Sequence, residues 1–398
     1  MYPDLSYILH ALLGTSPDNW TSIVKTFGLL LVIAILTAAF MLAKELKRKE
    51  EEGLLKGVIE KRTIGAPAST LELIGNALLG FFLGFKFGYI LQNFSDFQID
   101  PAAIVFSKVG NWWMGIIGAI LFAGAKYYEK NKDKLDKPKV QEVMVHPYER
   151  IGDITIIAAV SGIIGAKVFA LLEDVDQVLN GTITFGDLIS SFFSGSGMAI
   201  YGGLIGGFLA VFFFVKRKGI NPIHVMDAVA PALMIAYGIG RLGCHFSGDG
   251  DWGIPVEGIS KPAIMAALPD WLWAYNYPHN VISEGVLMDN CVWRYCKELS
   301  TPVFPTPLYE ITMAAILGGI LWALRKRITI PGMLFFIYLI FNGMERFWIE
   351  KIRVNEKYEV FGLNTTQAEF IAVILMIIGV IGCLVLLQRN KGVTTKKA

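Results

Sequence analysis

The sequence predicts an all-α, polytopic integral membrane protein. Three observations carry this. Hydrophobic residues make up 54% of the 398 and charged residues only 18%, less charge than a soluble domain of this size carries. Apolar runs near the ~20 residues needed to cross a bilayer core recur along the chain. Short basic clusters follow every second run. The net charge of +2 gives no electrostatic case for a nucleic-acid partner.

About nine spans follow from the apolar runs. The opening "MYPDLSYILHALLG" (1–14) is too short and mixed to span and lacks a basic region before an apolar one. It reads as an interfacial helix, not as a cleaved signal peptide. The first span, 22–43, is followed by Lys47, Arg48, Lys49, Lys61 and Arg62. Spans at 71–92 and 109–127 come next, and the third closes on Lys130, Lys132, Lys134, Lys137 and Lys139. Spans at 153–173 and 197–215 end at Lys216, Arg217 and Lys218. The sixth, 226–243, and seventh, 306–324, lead to Arg325, Lys326 and Arg327. The eighth and ninth, 331–349 and 367–387, lead to Arg389, Lys391, Lys396 and Lys397. The alternate loops are poor in Lys and Arg, so the positive-inside rule puts the N-terminus outside and the C-terminus in the cytoplasm.

Two stretches echo each other. "GFFLGFKFGYILQNFSDF" (80–97) precedes "WWMGIIGAILFAG" (112–124), and "SGIIGAKVFALLEDVD" (161–176) precedes "MAIYGGLIGGFLA" (198–210). Each pair has a Gly-rich helix with one lysine (Lys86, Lys167), an acidic outer loop and a Gly-x-x-Gly helix. Duplication and chance likeness of Gly-rich helices both account for this. "KYYEKNKDKLDKPK" (126–139) reads as a solvated cytoplasmic linker.

Ionisable groups at membrane depth cost at least ~2.5–3.5 kcal/mol at a helix centre and need a reason to persist. Asp227 begins the sixth span, Arg241 ends it, and Glu310 lies early in the seventh. Arg346 and Glu350 lie late in the eighth, four apart and so on one helix face. Snorkelling and a structural ion pair explain each singly. By the topology, Arg241, Arg346, Glu350 and Arg353 share one outer boundary, where planar guanidiniums suit a phosphate. Gly206 and Gly207 read as helix packing, whereas Gly202 and Gly203, beside Tyr201, read as room for a lipid headgroup. In the outer loop 244–304, Cys291 and Cys296 can pair on an oxidising side, although C-x4-C is a tight loop. Zinc lacks a second cysteine pair. Asp249 and Asp251 are too few for calcium, so no metal is expected.

These residues together resemble the prolipoprotein diacylglyceryl transferases. The family signature is close to G-R-x-G-N-F-x-N-G-E-x-W-G. Gly240, Arg241, Gly243, Phe246, Gly248, Trp252 and Gly253 fit it, with one extra residue before the tryptophan. "YGGLIG" (201–206) resembles its H-G-G-L-x-G, "DAVAP" (227–231) its D-x-x-A-P, and "PLYE" (307–310) its Q-L-Y-E. "ERFWIEKIR" (345–353) resembles R-x-x-x-E-x-x-R, and "TFGLLL" (26–31) the first-span W-Y-G-L. The motifs keep the family's order and cover the first span and most of 153–390. The chain then divides into 1–44 (N-terminal segment and first span), 45–150 (two inserted spans), a seven-span transferase-like core completed by 151–390, and a tail, 391–398.

The resemblance implies an enzyme of the bacterial inner membrane, without a cofactor, acting among membrane lipids. It would transfer the diacylglyceryl group of phosphatidylglycerol to the lipobox cysteine of a preprolipoprotein signal peptide, forming a thioether. Glycerol phosphate leaves, so the phosphate must be stabilised and the thiol must lose its proton. The implied reacting groups are Arg241, Arg346, Glu350 and Tyr201, and His245 joins them on its own chemistry. Gly202, Gly203, Gly240, Cys244, Ser247 and Asp249 would bind substrate. So would Arg241, Asp251, Gly253, Tyr309, Glu310 and Arg353.

The chain departs from the pattern in four places. Tyr201 replaces a histidine, Cys244 an asparagine, Phe27 the first-span tyrosine, and Asp249 or Asp251 the glutamate. A phenol is a poor base near neutrality, so His245 is the candidate replacement. The substitutions motivate a rival reading, a non-catalytic lipid-binding or assembly protein on the same fold. Lys86 and Lys167 motivate a second, a transporter.

Overall fold

The computed structural model describes residues 1–184, 186, 192, 199–355, 358–360 and 363–395. Nine helices among the described residues coincide with the nine apolar runs. Seven of them are long and apolar enough to cross a membrane. The other two are Trp112–Lys132, which ends in "KYYEKNK", and Met333–Glu350, which carries Glu345, Arg346 and Glu350. The chain forms two compact units, Lys56–Ile220 and Met1–Leu55 with Asn221–Ala398. The chain passes from one unit to the other at 55/56 and again at 220/221.

The Lys56–Ile220 unit holds two helix hairpins and one two-stranded sheet. Strand β1 (Val58–Ile64) pairs antiparallel with β2 (Lys139–Val145). β2 starts at the last residue of the 126–139 stretch expected as a solvated linker, and the two strands form a ribbon that Arg150 ties at its base through a 2.5 Å ion pair to Glu60. Fixed by Glu60, Lys218 joins the same end at 3.0 Å.

Within this unit, helices α3 (Thr70–Gln92) and α6 (Trp112–Lys132) meet through glycine. A Cβ on Gly80 would lie 2.3 Å from the Gly118 carbonyl, and one on Gly84 2.1 Å from that of Met114. Between them lie the short helices α4 (Phe94–Ile99) and α5 (Pro101–Phe106). Lys86 is buried and donates to the carbonyls of Ile104 at 3.0 Å and Val109 at 2.9 Å, and to Ser107. It closes the end of α5, which removes one motive for the transporter reading.

Helices α7 (Ile151–Leu179) and α8 (Ile200–Arg217) repeat the device. A Cβ on Gly202 would stand 2.4 Å from the Gly165 carbonyl, and one on Gly203 3.2 Å from that of Gly162. The room expected beside Gly202 and Gly203 is therefore filled by α7. Small residues let two backbones touch there, as in other membrane helix pairs. Gly202→Val should destabilise this unit by about 1–3 kcal/mol through overpacking. Gly152→Ala, in open space on α7, should not, and thermal unfolding in detergent compares the two.

The second unit begins with α1 (Leu5–Leu13), which Asp4 caps at Ser6 N, 3.0 Å. Helix α2 (Thr26–Glu51) packs along α9 (Pro222–Ser247), which also packs on α10 (Thr306–Leu324). Helices α11 (Met333–Glu350) and α12 (Gln367–Thr395) pair with each other. The core is Ala230, Met234, Ala314, Leu321 and Leu334. Asp227 receives the amides of Gly332 at 2.7 Å and Phe335 at 3.1 Å, so it caps α11. Its burial is structural.

The loop after α9 is built, not slack. Cys291 and Cys296 form a disulfide. Beside it, β3 (Val286–Leu287) pairs with β4 (Lys297–Glu298). Asn280, fully buried, donates to the carbonyls of Tyr277, Glu284 and Lys297. The N-terminal segment clamps the loop: Asp18 receives the Arg294 amide at 2.8 Å and the Tyr7 hydroxyl that of Tyr295 at 3.2 Å.

Candidate functional site

The end of α9, the start of α10 and the end of α11 bring their charged residues together. Arg241 pairs with Asp251 and, at 2.5 Å, with Glu310. Arg353 pairs with the same two carboxylates, through Asp251 and, at 3.3 Å, Glu310. Asp251 thus offers one oxygen to each guanidinium. Glu310 is fully buried. Two positive and two negative charges close a balanced ring, which is how buried charge becomes tolerable.

Asp251 is held from both sides. Thr306 donates its hydroxyl to the Asp251 carbonyl at 2.8 Å. Before it, Gly248 and Gly250 take φ +64° and +98°, the left-handed region that glycine adopts most readily. Burial works to raise the Asp251 carboxyl, but Arg241 and Arg353 outweigh it and hold it below the ordinary aspartate value. Asp249 goes the other way, raised by burial and then by the charge of Asp251.

Gly253 ends the signature in a β-bridge with Arg353. Its amide donates to Phe304 at 2.8 Å, and that of Ile254 to Ile352 at 2.8 Å. A Cβ on Gly253 would come within 2.5 Å of the Ile352 carbonyl. The signature and Arg353, a hundred residues apart, are joined backbone to backbone.

Arg346 and Glu350 form their own pair at 2.9 Å, and Asn355 donates to Glu350. Cys244 lies 3.8 Å from Arg241 Nη1 and shares a small group with Asp249 and Asp251, their ligand atoms within 4.8 Å. A cation there would face the two guanidiniums already on Asp251, so this group does not suit a metal. Gly240 has open space around its Cα.

Other expected residues have different work. Ser247 turns its hydroxyl back to the Gly243 carbonyl at 2.7 Å, inside its own helix. Tyr309 donates to the Leu272 carbonyl at 2.7 Å and braces the loop. Neither is open to a substrate by its hydroxyl proton. His245 meets the Tyr277 hydroxyl at 3.3 Å and packs on Tyr275, Tyr277 and Phe246. Among the described residues it has no hydrogen bond to the Arg241 cluster. It lines a cleft of about 500 Å³ with Tyr7, Trp271, His279 and Trp293. Tyr201, Gly202 and Gly203 belong to the Lys56–Ile220 unit.

Sequence reasoning missed Tyr237 and Glu345. Tyr237 donates to Glu310, receives Arg241 Nε at 3.2 Å and lies 3.2 Å from Glu345. The i, i+4 spacing of Tyr237 and Arg241 was the available signal.

A model of the family described as prolipoprotein diacylglyceryl transferase matches residues 112–385. The chain belongs to this family. The match begins inside the 45–150 segment set apart above as an insertion. Among its relatives is the phosphatidylglycerol–prolipoprotein diacylglyceryl transferase of Lysinibacillus sphaericus (strain C3-41), 29% identical over 286 residues, 71% of this chain and 89% of the relative. The protein of the same name from Staphylococcus haemolyticus (strain JCSC1435) is 29% identical over 285 residues, 71% and 86% of the two chains. That from Bifidobacterium adolescentis is 28% identical over 248 residues, 61% and 68%. As a diacylglyceryl transferase family member, the chain is a multi-pass membrane protein with its charged ring at one end of the α9–α11 helices.

Proposed function

We propose that this chain is a phosphatidylglycerol–prolipoprotein diacylglyceryl transferase of the bacterial inner membrane. The acceptor is the lipobox cysteine of a preprolipoprotein signal peptide. The sulfur attacks the glyceryl carbon, a sulfur–carbon bond forms and the carbon–oxygen bond to phosphate breaks. Glycerol phosphate leaves, and the thiol proton is taken up by a base or by the departing phosphate.

One observation carries the reading: Asp251 lies between Arg241 and Arg353 with one oxygen on each. A phosphodiester's two unesterified oxygens fit the same pair of guanidiniums, whose planar forks never lose charge. The glycine hinge at Gly248 and Gly250 lets the carboxylate yield its place. Arg346 and Glu350 are candidates for a second substrate contact, with His245 as a further candidate for contact with the peptide thiol. The disulfide in the loop after α9 supports an oxidising side for this end, in keeping with an outer N-terminus and a cytoplasmic C-terminus.

The test is direct. Purified protein, phosphatidylglycerol and a lipobox peptide should give a diacylglyceryl-modified peptide by mass spectrometry. Lipid binding without peptide modification would instead support the non-catalytic reading.

A further inference from the structure

Glu345 is 2% exposed, and among the described residues no lysine, arginine or histidine comes within ion-pair distance of it. Its neighbour in sequence, Arg346, is turned to Glu350 at 2.9 Å. Among the described residues, the polar group that Glu345 meets is the Tyr237 hydroxyl, oxygen to oxygen at 3.2 Å. A phenol has a single proton. In Tyr237 that proton faces Glu310, the nearer carboxylate. Two oxygens that both accept repel each other, so the contact with Glu345 needs a second proton.

We propose that Glu345 is held as the neutral acid and donates to Tyr237, making it a positioning residue for the anionic headgroup. This rests on the transferase reading above. The chain of donors is then complete: Glu345 to Tyr237, Tyr237 to Glu310, and Arg241 and Arg353 to Glu310. Every step has a donor and an acceptor. The neutral acid also settles the charge. Arg241, Arg353, Asp251 and Glu310 sum to zero, so a phosphodiester brings the site to one negative charge. An ionised Glu345 would bring it to two and oppose the lipid. The charged and titratable groups around Glu345 are Tyr237 and Arg241 on α9, Glu310 on α10, and Tyr338 and Arg346 on its own helix.

Glu345→Gln copies the neutral acid, with an amide that donates to the phenol. Glu345→Ala removes the donor. Relative to Glu345→Ala, the Gln variant should recover most of the rate. The alanine variant should show a KM for phosphatidylglycerol raised about tenfold or more, the loss of one hydrogen-bonded positioning contact. Infrared spectroscopy of the purified protein in detergent should show the carbonyl stretch of a protonated carboxylic acid that Glu345→Gln removes. This readout does not need activity, so it holds even if the wild type transfers nothing, a result that would instead count against the transferase reading. A Gln variant as impaired as alanine, or an unchanged carboxylic-acid band, would overturn the proposal. Tyr237→Phe should shift the same band, since it removes the acceptor.

Discussion

Arg241→Ala is expected to lower the transfer rate at least about a hundredfold, the scale of losing one charge-stabilising donor in other active sites. The arginine sits at the end of α9, and Asp251 and Glu310 hold its guanidinium in place. Truncation also leaves Arg353 alone to balance two carboxylates, so folding must be checked. Arg241→Lys answers that: it keeps the positive charge yet loses the planar fork. A folded lysine variant with little activity separates geometry from charge. Full activity in the alanine variant would remove Arg241 from the site.

The largest stability effect is expected at Glu310. It is fully buried and shared by Arg241, Arg353 and Tyr237. Glu310→Ala leaves two guanidiniums with one carboxylate between them, and breaking a buried pair in this way costs about 3–5 kcal/mol. Thermal unfolding in detergent should therefore fall well below that of Glu310→Gln, which keeps a hydrogen-bond acceptor. A Glu310→Ala variant that melts with the unsubstituted protein would show that the ring contributes nothing to the fold.

The membrane architecture was legible because hydropathy and basic clusters are one-dimensional signals. Long apolar runs must be helices in a bilayer, and Lys and Arg mark their ends. The β1–β2 ribbon was not legible, because Lys61 and Lys139 mark a solvated stretch whether or not it pairs. Arg241, Asp251, Glu310 and Arg353 stand out in the sequence because charge at the end of an apolar run is conspicuous. Tyr237 and Glu345, packed behind them, do not. Tyr237 looks like any aromatic in a span, and Glu345 is passed over because the i, i+4 spacing pairs Arg346 with Glu350. On α11 the two point differently, Glu345 to Tyr237 and Arg346 to Glu350. The close approach of α7 at Gly202 and Gly203 was not legible for a related reason. A glycine beside a phenol looks the same in sequence whether a ligand or another helix fills the gap.

The bridge between Gly253 and Arg353 bears on how parts of this protein can be exchanged. Arg353 takes its place from a backbone that lies against the end of the signature, so the two segments behave as one cassette. A chimera that imports residues 240–253 from a relative brings a new edge against the old 352–355 turn. Unless both halves travel together, the guanidinium is carried off the carboxylates by a mismatch between main chains, with every charged side chain still present.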